Sequence, residues 1–503
     1  MDRARRAAMT AAVGLLAALA AALLGSARST AGPETPMPAP TAMARDPQQA
    51  VLEEAATDAW LYFYPLLLMQ ATRASEPQLE LGVWKHSGSV RRHDDRKVIR
   101  PNVDTISSHA WLDLSGGPIL LETPDTEGLY HVVQAVDEWS LTFATVGSRT
   151  IGNGPGRFLF VPPGLDANAG ATPWPRDATL VRAPTQGVWL LMRIQSDDSE
   201  EEARTRALQT RFRLTALEER APDGPMPLPP AAATGLAEGT PPPQVILNLD
   251  PRSYFEWASR LWGAPGFWVP NLDDALVDRV ELLGLRPGSA LEWDALDPGQ
   301  RAALSAAPKG ALRKLAGVAA KEGGVNVDGW YYLKDNWYRV QDHRVFVKQP
   351  THYPLRAGLA LEALGFLPLQ EATYLSAGAA RVGGEVLSGA DGRSYTIRFP
   401  EGHLPAVEAF WSLTVYEGQG WLVDNPIHRH NLGSRDELRR DADGAVTLHL
   451  SATNPHGADS GDTSNWLPIP DGEFSVSFRA YWPSEPIVHE GDGWRMVPVI
   501  AAD

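Results

Sequence analysis

The feature that most limits the fold is a period of two in the C-terminal third. In EFSVSFRAYW, residues 473–482, alternation puts Phe474, Val476, Phe478, Ala480 and Trp482 on one face, and Arg479 and Tyr481 on the other. AVTLHL, residues 445–450, likewise sets Val446, Leu448 and Leu450 against Thr447 and His449. Three Asp-Gly pairs, Asp391-Gly392, Asp443-Gly444 and Asp471-Gly472, each stand just before such a segment and read as hairpin turns. This third must therefore build antiparallel sheet with its apolar face in a core. The opposite face of residues 473–482 then offers an arginine and a tyrosine to a ligand or a partner surface.

Upstream, residues 101–164 repeat the strand pattern in short runs separated by Gly, Pro and Asp, and GVWLLMRIQ at 187–195 reads as a buried strand that closes the unit. A helix is expected over 46–73, capped by Asp46, with Pro47 in its first turn, Ala56, Trp60, Tyr64, Leu67 and Leu68 at helical spacing, and a kink at Pro65. Between the two β regions the pattern is helical. One helix should start from a cap at Asp198 or Ser199, and further helices lie near 254–262, 272–283 and 298–322. Residues 222–243 are too rich in proline to pack as an element. A chain of 503 residues also exceeds what one core usually holds. The expected fold is α+β, mainly β with α. It has two antiparallel β-sandwich-like domains, 46–196 with its leading helix and 346–503, joined by a helical bridge over 197–345.

The N-terminus carries a targeting pattern. Arg3, Arg5 and Arg6 precede an apolar run at 11–24, and small residues follow through Ala31. This reads as a secretory signal peptide over 1–31 and a Pro-rich tether over 32–45, since the run is short for a membrane span. The mature chain is then exported, periplasmic or extracellular, without a stable membrane span. Residues 1–31 hold four arginines and one aspartate, so their removal takes the formal charge from −16 to −19. That balance argues against nucleic acid as a partner, because phosphate neutralisation needs a basic field. The absence of cysteine excludes disulfides, thiolate metal sites and a cysteine nucleophile. One local exception to the acidity is the run around Lys85, Arg91, Arg92, Arg96, Lys97 and Arg100, with His86 and His93. It is either a solvated loop or an anion-attracting rim.

Residues 410–431, FWSLTVYEGQGWLVDNPIHRHN, begin as an alternating strand and break at Gly418 and Gly420. They then crowd an amide, imidazoles, an arginine and aromatics into a few positions, a density that suggests a pocket wall. No Gly-x-Ser-x-Gly elbow, phosphate-cradling Gly-x-x-x-x-Gly-Lys loop or His-Glu-x-x-His helix occurs anywhere. His428 and His430 would share a face of extended chain, but no third ligand is evident from sequence, so neither a metal nor a cofactor is assigned.

The strings PNVDTISSHAWLDL, DEWSLTFATVGSRTIGNGPGRFLFVPPG, AFWSLTVYEGQGWLVDNPIHRHNLGSRDEL and SNWLPIPDGEFSVSFRAYWPSEP resemble the paired bacterial families known as domains of unknown function 1254 and 1214. The resemblance spans 51–497 apart from the central linker. It implies an exported protein of two β-rich domains joined by helices, and no established activity. Residues that match the families' motifs include Asn102, Asp104, Arg149, Trp411, Tyr416, Asn425, Pro426, Arg429, Asn465, Trp466, Arg479 and Tyr481. The family pattern often has a tyrosine after the Asp-Thr pair, where this chain has Ile106 and Ser107.

Two functional classes fit. In the first, a carbohydrate-active enzyme, a polysaccharide lyase or a hydrolase, works where the two β domains meet. β-Elimination on a uronate needs a carboxylate clamp, for which Asn425, Arg429 and Arg479 are candidates. It also needs a proton-transfer pair, for which Tyr416, His428 and Tyr481 are candidates. Asn102, Asp104 and Arg149 would add substrate contacts, and Trp411, Trp421 and Trp466 could stack on sugar rings. Hydrolysis would use carboxylates such as Asp137 and Asp424. In the second class, a noncatalytic envelope protein binds a glycan or small-molecule ligand, or assembles with itself as a homo-oligomer. Every one of these residues also has a structural reading: the tryptophans as core, Asn102 as an Asx turn, Asn425 as a turn cap and Arg479 as half of an ion pair.

Overall fold

The computed structural model describes residues 46–76, 78–96, 99–165, 174–196, 199–217, 240–262, 264, 266–267, 274–346, 348, 352–378, 386–457 and 459–502. The expected signal peptide and tether at 1–45, the cap at Asp198, Lys97, and the Pro-rich linker up to residue 239 lie outside these. No described helix is long and apolar enough to cross a membrane.

The first helix, α1 (Pro47–Ala74), starts as its sequence dictates, with the Asp46 side chain accepting from Gln48 N and Pro47 at the first helical position. It runs on through Pro65. Residues 55–71 are buried on nearly every side, with Trp60, Tyr62, Phe63 and Tyr64 all in the core. Helix α2 (Ser199–Gln209) lies apart, against the β region, while α3 (Pro251–Trp262), α4 (Pro298–Glu322) and α5 (Tyr353–Ala363) pack around α1 and share its hydrophobic cluster. Hence α1 is the axis of a helical layer built from three separate stretches of chain.

The first β unit has nine strands: β1 (Lys85–His86), β2 (Thr105–Asp113), β3 (Ile119–Thr123), β4 (His131–Asp137), β5 (Thr142–Gly147), β6 (Gly156–Val161), β7 (Thr179–Arg182), β8 (Gly187–Gln195) and β9 (Arg213–Ala216). One sheet runs β1-β2-β8-β4-β5, all antiparallel. The other runs β7-β6-β3-β9, with β6 and β7 parallel. Ala110, Leu112, Val133, Val188, Leu190 and Ile194 of the first meet Ile119, Leu121, Phe158 and Phe160 of the second, which makes a sandwich. The outer face of the first sheet is covered too. Trp111, Val136, Trp189 and Leu191 pack with Met69 of α1 and with Leu364 after α5. Burial on both faces explains why β8 reads as a continuous apolar run.

The second β unit contains β10 (Gly324–Val327), β11 (Trp330–Leu333), β12 (Ala372–Ala377), β13 (Leu387–Ser388), β14 (Tyr395–Phe399), β15 (Val407–Glu417), β16 (Asn431–Gly433), β17 (Val446–Ser451), β18 (Trp466–Pro468), β19 (Glu473–Pro483) and β20 (Val499–Ala501). A seven-stranded sheet is ordered β10-β11-β12-β19-β15-β16, with β13 also pairing to β19. A four-stranded sheet is ordered β18-β17-β14-β20. Phe474, Val476, Phe478 and Ala480 of β19 point into the core between them, opposite Ile397, Phe399, Leu448 and Leu450. Trp482 departs from the expected face. Its φ is +48°, the alternation ends there, and it joins a small cluster with Tyr481 and Phe410 instead.

The Asp-Gly turns also differ from expectation. Residues 391–392, 443–444 and 471–472 each link strands of different sheets, so none closes a hairpin. A glycine at positive φ allows a sharp reversal, but cannot dictate which strand the chain meets afterwards. The two-residue hairpin is at Asp328-Gly329, where φ is +51° and +82°, joining β10 to β11 with Val327 opposite Trp330. These two strands belong to the C-terminal sheet, although sequence reasoning placed them in the bridge.

Candidate functional site

Alternation in β15 and β19 turns Ser412, Thr414, Tyr416, Arg479 and Tyr481 to the outer face of the seven-stranded sheet. These five side chains are buried. Residues 100–105, the PNVDT motif and its preceding arginine, lie across that face. Arg100 N donates to Gly420 O at 2.8 Å, and its guanidinium reaches Ser475 Oγ at 3.0 Å. The Tyr416 hydroxyl donates to Pro101 O at 2.7 Å and accepts from Arg479 Nη2 at 2.7 Å, while Arg479 Nη1 donates to Thr414 Oγ1 at 2.8 Å. Asn102 holds an Asx turn through the amides of Asp104 and Thr105, and its Nδ2 donates to the Tyr481 hydroxyl at 2.7 Å. Asp104 is fully buried. Its Oδ2 accepts from Ser412 Oγ at 2.8 Å and Tyr481 at 3.2 Å, its Oδ1 accepts from Asn431 Nδ2 at 2.9 Å, and Arg435 Nη2 stands 3.7 Å away. Five of the predicted site residues thus meet in one closed polar lock between the two β units.

The other predicted residues hold structure elsewhere. Arg149 bridges the units through Glu371, at 2.7 Å. Trp411 packs in the core against Phe399, and Trp466 is buried with Nε1 donating to Ser451 O at 2.9 Å. Neither ring can stack on a sugar. Asn425 clamps its own loop, donating to Val423 O and Arg429 O and accepting from Arg429 N. The guanidinium of Arg429 donates to Thr463 O and Trp466 O, which leaves it a scaffold as much as a clamp. Asp137 is buried, capping Trp139 and Leu141 and meeting His343 Nδ1 at 3.0 Å. Asp424, by contrast, is exposed, beside His93.

Open space lies beside this lock, in two adjoining cavities that share Val90 and Arg91. The larger, about 790 Å3, is walled by Arg91, Arg92 and His93 from the first unit and by His428, Arg429, His430 and Arg435 from the second. Its carboxylates are Asp94, Glu202, Asp436 and Glu437. The smaller, about 420 Å3, is lined by Ser87, Ser89, Arg91, Asn102, Thr105, Ser107, Trp189 and Arg193, with no carboxylate among the described residues. Trp189 stacks on Trp111 at 5.2 Å, and Arg193 is aimed by bonds to Gln134 Oε1 and Gly365 O.

Residues 83–216 match the family described as a protein of unknown function, DUF1254, and residues 371–485 match that described as a protein of unknown function, DUF1214. The chain thus carries, in order, one region similar to each of these two families. No curated protein matches it. The crystal structure of the VPA0106 protein from Vibrio parahaemolyticus is similar at 20% identity and a TM-score of 0.67, covering 90% of this chain and 100% of that one. This likeness speaks to the fold alone. A putative uncharacterized protein from Burkholderia cenocepacia covers 90% of this chain and 94% of its own, at 12% identity and a TM-score of 0.40, too low to carry an argument.

Asn102, Asp104, Tyr416, Arg479 and Tyr481 therefore tie the two units together, which commits two members of the expected proton-transfer set, Tyr416 and Tyr481, to that contact. Tyr481 is buried, and burial together with the Asp104 carboxylate holds its pKa well above the usual 10. Burial alone would lower the Arg479 pKa, but the Tyr416 and Tyr481 hydroxyls and Asp104 outweigh it and keep the group charged. Of the three expected, His428 alone lines either of the two cavities described above. His430 stands beside it, its pKa lowered by burial and then by His93. Sequence reasoning missed Trp189 and Arg193. Their signal was the period of two in β8, where Trp189, Leu191 and Arg193 alternate with the core residues Val188, Leu190, Met192 and Ile194.

Proposed function

We propose that this chain is an exported binding protein that takes a hydroxyl- and carboxylate-bearing ligand, a short acidic glycan, in the paired cavities beside residues 87–93. The observation that carries the reading is the smaller cavity. Two arginines, four hydroxyl side chains, an amide and the face of a tryptophan converge there with no carboxylate in the lining, although Arg91 also pairs with the neighbouring Asp95. In a chain of formal charge −16, such a site is a local reversal of sign. Export rests on the N-terminal sequence pattern, and N-terminal sequencing of the secreted product should begin near residue 32. Self-association stays a secondary proposal, read from the solution mass.

A second reading, the polysaccharide lyase or hydrolase, has support in the imidazoles of His93 and His428 on the larger cavity. One experiment separates the two. The chain from residue 32 is titrated calorimetrically with a galacturonate oligosaccharide and with a neutral one of equal length, while new unsaturated and reducing ends are followed. Heat from the acidic sugar alone, with no new ends, is the expected result. Unsaturated ends would replace binding with lyase action, reducing ends alone with hydrolysis, and silence from both sugars would remove the carbohydrate reading. Arg91→Ala should weaken binding roughly 10- to 100-fold, the worth of a charge-assisted hydrogen bond.

A further inference from the structure

We propose that His93, Asp424 and His428 form a divalent transition-metal site that joins the DUF1254 and DUF1214 domains at the larger cavity. His93 Nε2 stands 3.7 Å from Asp424 Oδ1, and one donor atom from each of the three residues lies within 4.8 Å of the other two. Tetrahedral zinc with bonds of about 2.0–2.1 Å sets its donors about 3.3 Å apart, so modest side-chain rotation closes the set. The Asp424 side chain is 76% exposed and the His93 side chain 35% exposed, which leaves room for that rotation.

A surface ion pair between His93 and Asp424 would not account for His428. That residue has a φ of +52°, an uncommon conformation for a non-glycine residue. It is held by Asn425, whose backbone O accepts from His428 N at 3.1 Å and whose side chain ties residues 423 and 429 together. One clamped loop thus presents Asp424 and His428 toward His93 of the other domain. His430 adds a third imidazole, its ring 6.1 Å from that of His93 and its Nδ1 buried without a hydrogen-bond partner among the described residues. Two imidazole nitrogens and one carboxylate suit zinc, cobalt or nickel better than calcium or magnesium, which prefer oxygen donors. Three protein ligands leave a coordination position toward the cavity for water or a ligand oxygen. The site does not depend on the glycan reading.

The test uses the chain from residue 32, free of any polyhistidine tag and stripped with chelator, titrated with zinc chloride and in parallel with calcium chloride. About one equivalent of zinc and no calcium should bind, and zinc should raise the midpoint of thermal unfolding. His93→Ala and His428→Ala should each weaken zinc binding by more than about tenfold, as loss of even a supporting partner does, and abolish the thermal shift. Arg91→Ala should keep zinc binding, which separates this site from the glycan site. Metal-free variants should unfold at the wild-type midpoint. Zinc binding that survives in both histidine variants, or wild-type binding far below one equivalent, would overturn the proposal.

Discussion

At the scale of single residues, Asp104 gathers four partners across the junction. One fully buried carboxylate answers Ser412, Tyr481, Asn431 and Arg435, all from the other domain. Asp104→Ala would strand those groups in a low-dielectric interface, and should destabilise the fold by about 3–5 kcal/mol, measured by urea unfolding. His131 carries a different signature. It is fully buried, its Nε2 has no partner among the described residues, and burial lowers its pKa from 6.5 to about 4, against the opposing effect of a bond to the Leu129 backbone. The native imidazole stays neutral while the unfolded one protonates, so stability is full above pH 6.5 and is lost as the pH falls from 6.5 toward 4. The loss attributable to this group is about 3 kcal/mol, and His131→Phe should flatten that part of the stability profile.

At the scale of elements, close approach fixes where a side chain cannot stand. A Cβ on Gly187, at the start of β8, would lie 1.6 Å from Glu138 Oε1, and Glu138 is itself bonded to Gln70 of α1 and faces Arg73. Gly187→Ala should therefore disturb the contact between α1 and the first sheet, lowering stability by about 1–3 kcal/mol in thermal unfolding. What sequence revealed at this scale was periodicity. The alternation in β19 correctly sorted Phe474, Val476, Phe478 and Ala480 from Arg479 and Tyr481. It could not say what covers the second face, because residues 100–105 come from more than 370 positions away. Turn chemistry failed similarly. Asp-Gly marked reversals, yet three of the four reversals named here cross between sheets, and the one true hairpin at 328–329 lay in a stretch read as bridge. Helix α1 was legible from its cap and spacing. Its central position was signalled only by aromatics on every side, at Trp60, Tyr62, Phe63 and Tyr64.

At the scale of the whole molecule, two sandwiches meet through a polar lock and a helical layer, and the cavities open beside the lock. Motif density alone does not separate the two roles, since residues that dock two domains are as restricted in type as residues that bind a ligand. The basic run at 91–93 and the histidines at 428 and 430 did reach one cavity together, from opposite domains. Docking and binding fall on different residues, and a paired titration tests that separation most directly. Tyr481→Phe and Arg91→Ala are each titrated with a galacturonate oligosaccharide and each unfolded by heat. Tyr481→Phe removes a hydroxyl that accepts from Asn102 and donates to Asp104, so its midpoint should fall by a few degrees while its affinity stays within about twofold of wild type. Arg91→Ala should do the reverse, keeping the wild-type midpoint and losing affinity by at least about tenfold. If Tyr481→Phe instead abolished binding at an unchanged midpoint, the buried tyrosine would be part of the ligand site and the lock reading would be wrong.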